Sequence, residues 1–251
     1  MSSRRPALDD FRHIALDVVA STNTECLARA RAGDPGLLWV TAQMQTGGRG
    51  RRGRTWVSER GNLYSSLLLI DPATAEDMAS LPLAVALAVQ RTVRTVLPDP
   101  ETLVEVKWPN DVLIDRRKTS GILMEAERLP DGRMALVIGI GINILARPDD
   151  APYPVTSLSD QGSAISPDEL FAHLYRETAE IIATWDRGRG IAAIAREWRK
   201  VACGIGEKIT VNLPDRSIPG IFAGIDDKGL LLLDRGADGR MTIAAGDVFF
   251  G

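Results

Sequence analysis

Residues 103–144 read LVEVKWPNDVLIDRRKTSGILMEAERLPDGRMALVIGIGINI. Four runs within them have the length and apolar content of β-strands: Leu103 to Trp108, Val112 to Asp115, Gly121 to Leu129 and Met134 to Ile144. The links between them are only a few residues long, and Pro130-Asp131-Gly132 is a turn former joining the last two. Parallel neighbours need a crossover of about a dozen residues or more, which these links cannot supply. The segment therefore predicts consecutive antiparallel strands, and the chain around it an α+β fold: a mixed, largely antiparallel sheet with helices on one side.

Working outward, Ile14 to Val19, Leu37 to Ala42 and Tyr64 to Ile70 are further strand candidates. Thr22 with Glu25 three residues later has the form of a capping box, opening a helix that stops near Gly33. Leu83 to Leu97 is the most apolar helix candidate, with Pro82 tolerable in its first turn. Ser166, Pro167 and Glu169 mark the start of another helix running to about Trp185, and a second follows from about Ile191 to Ala202. From Lys208 onward the pattern alternates between turn formers, predicting four or five short strands in a small SH3-like β-barrel. The expected division is 1–203 and 204–251.

Composition narrows the function. The chain has 251 residues, 45% hydrophobic and 25% charged, enough to bury a sizeable core. Thirty basic against thirty-three acidic residues leave a net charge of -3, so the chain is no general polyanion binder and any basic site must be local. The two cysteines, Cys26 and Cys203, lack metal-ligand spacing, and no protein metal site is assigned. Residues 1–13 carry no apolar core like that of a signal peptide, and the longest apolar stretches, Leu81 to Val89 and Ala135 to Ala146, are shorter than the roughly 20 residues of a membrane helix. A cytoplasmic protein is expected, with no membrane partner. Two histidines, no nucleophile elbow and no Walker loop leave little material for covalent catalysis.

Five segments could carry chemistry. Gly47-Gly48-Arg49-Gly50-Arg51-Arg52-Gly53-Arg54-Thr55-Trp56 crowds four arginines among glycines. Mutual repulsion and the entropy of glycine should leave the loop mobile when empty, and a multiply charged anion is what would order it. A solvated charge run or an RNA-binding tail fits the same composition, though a tail does not sit between two strands. Lys107-Trp108-Pro109-Asn110-Asp111 reads first as a hairpin turn, one that can present an amide beside a carboxylate. Lys118 precedes Thr119-Ser120-Gly121, where small residues would let a ligand approach the backbone. In Ile138-Gly139-Ile140-Gly141-Ile142-Asn143 the isoleucines would face the core and the glycines would clear the other face for a flat ligand or for close packing. Ser21-Thr22-Asn23 is a helix N-terminus that could also serve as a hydrogen-bonding subsite.

Taken in order, Ser21-Thr22-Asn23, Gln45 leading into Gly48 to Trp56, Lys107 to Asp111, Lys118 with Gly121-Ile122-Leu123, and Gly139 to Asn143 closely resemble the biotin-protein ligase family, whose catalytic domain has a class II synthetase-like fold. The resemblance implies joining biotin to ATP, with Mg²⁺, to give biotinoyl-adenylate and pyrophosphate. The biotinoyl group then passes to one lysine of a carrier domain in a biotin-dependent carboxylase. It further implies that Ser21, Thr22, Asn23 and Gln45 hold the ureido head, and that Arg49, Gly50 and Arg51 grip carboxylate and phosphate. Lys118 would bridge the two, Gly48, Arg54, Trp56, Asn110 and Asn143 would help place the adenylate, and Gly121, Gly139 and Gly141 would give clearance. Lys118, Arg51 and Asp111 form the implied catalytic set, with Asp111 either organising Mg²⁺ or receiving a proton from the carrier lysine. Only twenty residues precede Ser21, short of the roughly 50 to 60 of a winged-helix module, so DNA binding is not expected; a homodimer is compatible with the family. A lipoate-protein ligase and a non-catalytic RNA-binding protein are the rival readings.

Overall fold

The computed structural model describes residues 5–148, 151 and 153–250. Strands β1 (Arg12–Val19), β2 (Leu38–Gln45), β3 (Leu63–Ile70), β4 (Val104–Lys107), β5 (Asp111–Ile114), β6 (Arg117–Arg128) and β7 (Met134–Ile142) form one sheet in the order β1-β2-β3-β7-β6-β5-β4. The expected meander is present: β4, β5, β6 and β7 pair antiparallel in succession, and β3 closes onto β7. Only β1 and β2 run parallel, and helix α1 (Thr22–Arg31) is their crossover.

Alternation along β7 explains how the sheet is covered. Leu136, Ile138, Ile140 and Ile142 enter a large core with Trp39, Leu67, Leu69 and the helices of one face. The intervening Ala135 and Val137 face the other way, against Leu38, Val40, Leu68 and Ile70 and the buried Cys26 and Ala30 of α1. Sequence reasoning placed the helices on one side, and the structure corrects this. The parallel pair β1 and β2 must carry its crossover on a face, and α1 takes the one opposite the other long helices. Truncating a core residue such as Ile138 to Ala should cost about 2–5 kcal/mol.

On the first face lie the four-residue α2 (Ala75–Met78), α3 (Leu81–Thr95), α4 (Pro167–Trp185) and α5 (Ile191–Lys200). Helix α3 is buried at every residue from Leu83 to Gln90, because the sheet lies on one side of it and α4 and α5 on the other. Ser166 and Glu169 form the expected capping box at the start of α4. At α1 the expected box is absent: Ser21 is the N-cap, and the Thr22 hydroxyl turns to Gln45 instead.

Strands β8 (Lys208–Asn212), β9 (Ser217–Ile225), β10 (Leu231–Asp234), β11 (Arg240–Ile243) and β12 (Asp247–Phe250) form a small antiparallel sheet, ordered β11-β10-β9-β8-β12, with β11 and β12 as its edges. Its buried Ile209, Val211, Phe222, Leu231 and Leu233 belong to the same core as the seven-stranded sheet. Backbone bonds from Val106 N–H to Val201 and from Cys203 N–H to Val106 cover the β4 edge. This places the start of β12 beside the Gly/Arg-rich loop.

Candidate active site

The pocket opens on the α1 face of the sheet, where β3, β6 and β7 present small residues. Its floor combines Gly121, Gly139 and Gly141, its inner end Ser21, Thr22, Asn23 and Gln45, and its outer wall the loop after β2. At Gly139 an added Cβ would collide with Asn23 Oδ1, and at Gly141 it would lie 2.5 Å from Trp56 Nε1. The clearance expected of these glycines is real, and what fills it in this structure is the Asn23 amide and the Trp56 indole.

The inner end is neutral and tightly bonded. Thr22 N–H and Oγ1 both donate to Gln45 Oε1, at 2.9 and 3.2 Å, which turns the Gln45 amino group toward Ser58 Oγ at 2.9 Å. Ser66 Oγ donates to Asn23 Oδ1 at 2.6 Å, and Asn23 Nδ2 donates to Glu125 Oε2 at 2.7 Å. Ser21, Thr22 and Asn23 are all buried. Such a network presents fixed donors and acceptors to a polar, uncharged group.

The outer end is charged. Residues 48–56 fold back on themselves through Trp56 N–H to Gly48 O and Gly50 N–H to Arg54 O, with Arg52 in the left-handed region at φ 53°. The loop is thus a short hairpin rather than a tail. Its arginines all have protein partners in this structure. Arg49 pairs with Glu125 at 2.9 Å, and Arg51 donates to Asn110 Oδ1 at 2.8 Å and to Gly246 O at 3.0 Å. Arg51, Arg52 and Arg54 all reach the single carboxylate of Asp247, at 3.3, 3.1 and 3.3 Å.

Between the two ends stands Lys118, whose Nζ is 2.7 Å from Asp111 Oδ1 and lies 5.6 and 5.2 Å from the Trp56 and Tyr153 ring centres. Strand β6 begins four residues earlier than its apolar run suggests, so Lys118 is within the strand rather than ahead of it. The β4–β5 turn carries Asn110, whose Nδ2 donates to Ile122 O at 2.5 Å while its Oδ1 receives Arg51. Burial pulls Arg51 and Lys107 below the usual range of their groups, opposed by Asp247 and Asp111 for Arg51 and by Asp111 for Lys107. The buried Trp56 N–H has no partner, so a donor stands ready in the pocket wall.

The pocket therefore brings together Ser21, Thr22, Asn23, Gln45, Arg49, Gly50, Arg51, Arg54, Trp56, Asn110, Asp111, Lys118, Gly121, Gly139 and Gly141. Two expected residues do not line it. Gly48 forms the neck of the hairpin against Ser58 and Trp56, and Asn143 is buried with its Nδ2 donating to Thr156 O. Sequence reasoning missed Tyr64, Tyr153 and Asp247. Asp247 follows a turn in a region with no motif, and only the fold shows what it touches.

Two family models match the chain: the biotin/lipoate A/B protein ligase family over residues 15–143 and the biotin protein ligase C-terminal domain over 204–251. The biotin-[acetyl-CoA-carboxylase] ligase of Paracoccus denitrificans is 38% identical, with 92% of this chain and 97% of that protein covered. The chain belongs to the biotin-protein ligase family. The corresponding ligase of Mycobacterium tuberculosis is 36% identical over 93% of this chain and 88% of its own. The structure of the Aquifex aeolicus biotin protein ligase in complex with biotin and ATP superposes with a TM-score of 0.80 at 27% identity, covering 96% of this chain and 98% of that one.

Proposed function

We infer that the chain activates biotin with ATP and transfers the biotinoyl group to a lysine of a biotin carboxyl carrier domain. In the first step a biotin carboxylate oxygen bonds to the α-phosphorus and the bond to pyrophosphate breaks. In the second the carrier lysine amine attacks the carbonyl of the mixed anhydride and AMP leaves. Both partners of the first step are anions, so its barrier is largely electrostatic. The observation that carries the reading is the placement of Lys118 at the junction of a neutral, hydrogen-bonded pocket and a cluster of arginines.

In this reading Ser21, Thr22, Asn23 and Gln45 take the ureido head, and Gly121, Gly139 and Gly141 leave room beside it. Lys118 sits where carboxylate and α-phosphate meet, oriented by Asp111. Arg49, Gly50, Arg51 and Arg54 bind carboxylate and phosphates, with Asn110 steering Arg51. Trp56, over Gly141, covers the ligand and offers its free N–H. Gly48 and Asn143 act on the adenylate only by shaping the wall. Mg²⁺, when bound with the triphosphate, would supply neutralisation of its charge. The described residues hold no cluster of three acidic, His or Cys groups, so such an ion would rest on phosphate oxygens with Asp111 as its protein carboxylate.

We place the division between a catalytic part and a C-terminal part at residue 204, the second part contributing Asp247 to the pocket. No helix among the described residues is long and apolar enough to cross a membrane, and Cys26 and Cys203 are buried free thiols, which fits a cytoplasmic setting. The test is exchange of labelled pyrophosphate into ATP. Exchange that requires biotin is expected; exchange that requires lipoate, or none at all, would overturn the assignment.

A further inference from the structure

The geometry points to Glu125 as a positioning residue that sets the hydrogen-bonding polarity of the inner pocket through Asn23; this role rests on the biotin reading above. An asparagine amide has an oxygen and a nitrogen of nearly equal size, so its pocket alone does not decide which way it faces. Here a carboxylate decides it. Glu125 Oε2 lies 2.7 Å from one terminal atom of Asn23, and only the amino group can face a carboxylate at that distance without repulsion. Leu123 O, 3.5 Å away, is a second acceptor on the same side. The amide oxygen is thereby turned the other way, toward Ser66 Oγ and the cleared face of Gly139.

That orientation matches a cyclic urea, whose two N–H groups need acceptors from the protein. A reversed Asn23 would set its own N–H against a ureido N–H. Glu125 is itself held from the solvent side by Arg49, whose Nη2 is 2.9 Å from the same carboxylate oxygen. One acidic side chain on β6 therefore ties the inner pocket to the root of the Gly/Arg-rich hairpin. Strand alternation places Glu125 on the same face as Leu123 and Gly121, two and four residues before it.

Glu125→Gln keeps the size of the side chain but can meet Asn23 with either an oxygen or an amino group, so both amide orientations become available. The affinity for biotin without ATP, measured by calorimetry, should fall about tenfold, the equivalent of ~1.4 kcal/mol. The KM for biotin should rise to match, while kcat at saturating biotin and the KM for ATP stay within about twofold. Because the effect runs through Asn23, the double variant Asn23→Ala/Glu125→Gln should bind biotin no worse than Asn23→Ala alone. Glu125→Ala, which leaves Asn23 only Leu123 O, should lose at least as much as Glu125→Gln. Biotin affinity unchanged in Glu125→Gln, or losses that simply add in the double variant, would overturn the role while leaving the biotin reading intact. An unmutated chain that does not bind biotin would overturn both.

Discussion

Thr22 and Asn23 are 3% exposed and bonded into a network of amides and hydroxyls backed by the Glu125 carboxylate, whereas the side chains of Arg51, Arg52 and Arg54 are 28%, 40% and 52% exposed and share one carboxylate. The two ends of one pocket are thus held by interactions of different strength. A buried hydrogen-bonding group stripped of its partner costs about 1–3 kcal/mol, so the inner end keeps its shape whether or not ligand is present. Ion pairs near solvent contribute about 0–1 kcal/mol each, so the arginines can exchange Asp247 for phosphate oxygens at little cost. A rigid subsite suits a small uncharged head, and an exchangeable one suits an anion that arrives, reacts and leaves as pyrophosphate.

The largest effect expected from this contrast comes from removing cations at the charged end. Lys118→Ala and Arg51→Ala should each slow adenylate formation by about 10²- to 10³-fold, as loss of a single electrostatic stabiliser does elsewhere. Biotin affinity measured without ATP should change far less in Arg51→Ala. Pyrophosphate exchange and calorimetry on the same preparations give both numbers, and equal losses in the two would show that the ends are not separable. The converse variant is Gly139→Ala, whose new methyl would strike Asn23 Oδ1. An overpacking cost of about 1–3 kcal/mol corresponds to a roughly 5- to 150-fold loss of biotin affinity, with turnover at saturating biotin retained.

The same contrast describes what the sequence made legible. The strand meander from 103 to 144 is local, since pairing partners are neighbours in the chain and the turns between them are short; both register and alternation follow from it. Gly139 and Gly141 on the ligand face were legible for that reason. The position of α1 was not, because the parallel pairing of β1 with β2 leaves no mark in a turn. The Thr22 side chain was misread as a cap because a Thr three residues before a Glu fits a capping box, while its actual partner, Gln45, is 23 positions away. Asp247 lies 193 residues from Arg54, with no residue pattern linking them. Residues joined by local geometry could be found; those joined only by tertiary folding could not.

Asp247 offers a smaller and more direct test of exchangeable pairing. Asp247→Asn removes the shared charge and leaves Arg52 and Arg54 mainly exposed, with Arg52 keeping its bond to Asn212 O. Tryptic cleavage between Arg49 and Arg54 should become several-fold faster in the free protein, and the difference should shrink when biotin and ATP are added together. Equal cleavage of variant and parent without ligand would mean that the hairpin is held by its backbone bonds alone.

The smallest effect expected is a divergence with pH. Burial lowers the pKa of Lys107 below the ordinary lysine value of 10.5, only partly opposed by Asp111. Lys107 borders the same charged region as Arg51, Arg54 and Lys118, with its Nζ 5.2 Å from the centre of the Phe250 ring. As pH rises through its depressed pKa this end loses a cation, so the KM for ATP should climb a few-fold on the alkaline side while biotin affinity, which depends on amides and hydroxyls, stays flat. Stability runs the other way. Between the folded pKa and 10.5 the unfolded chain holds more protons at this site, so the Lys107 contribution to folding grows with pH. Lys107→Arg keeps its charge throughout this range and should flatten the alkaline rise in KM for ATP. If KM for ATP and biotin affinity drift together in both proteins, the alkaline change belongs to the whole fold and not to the charged end of the pocket.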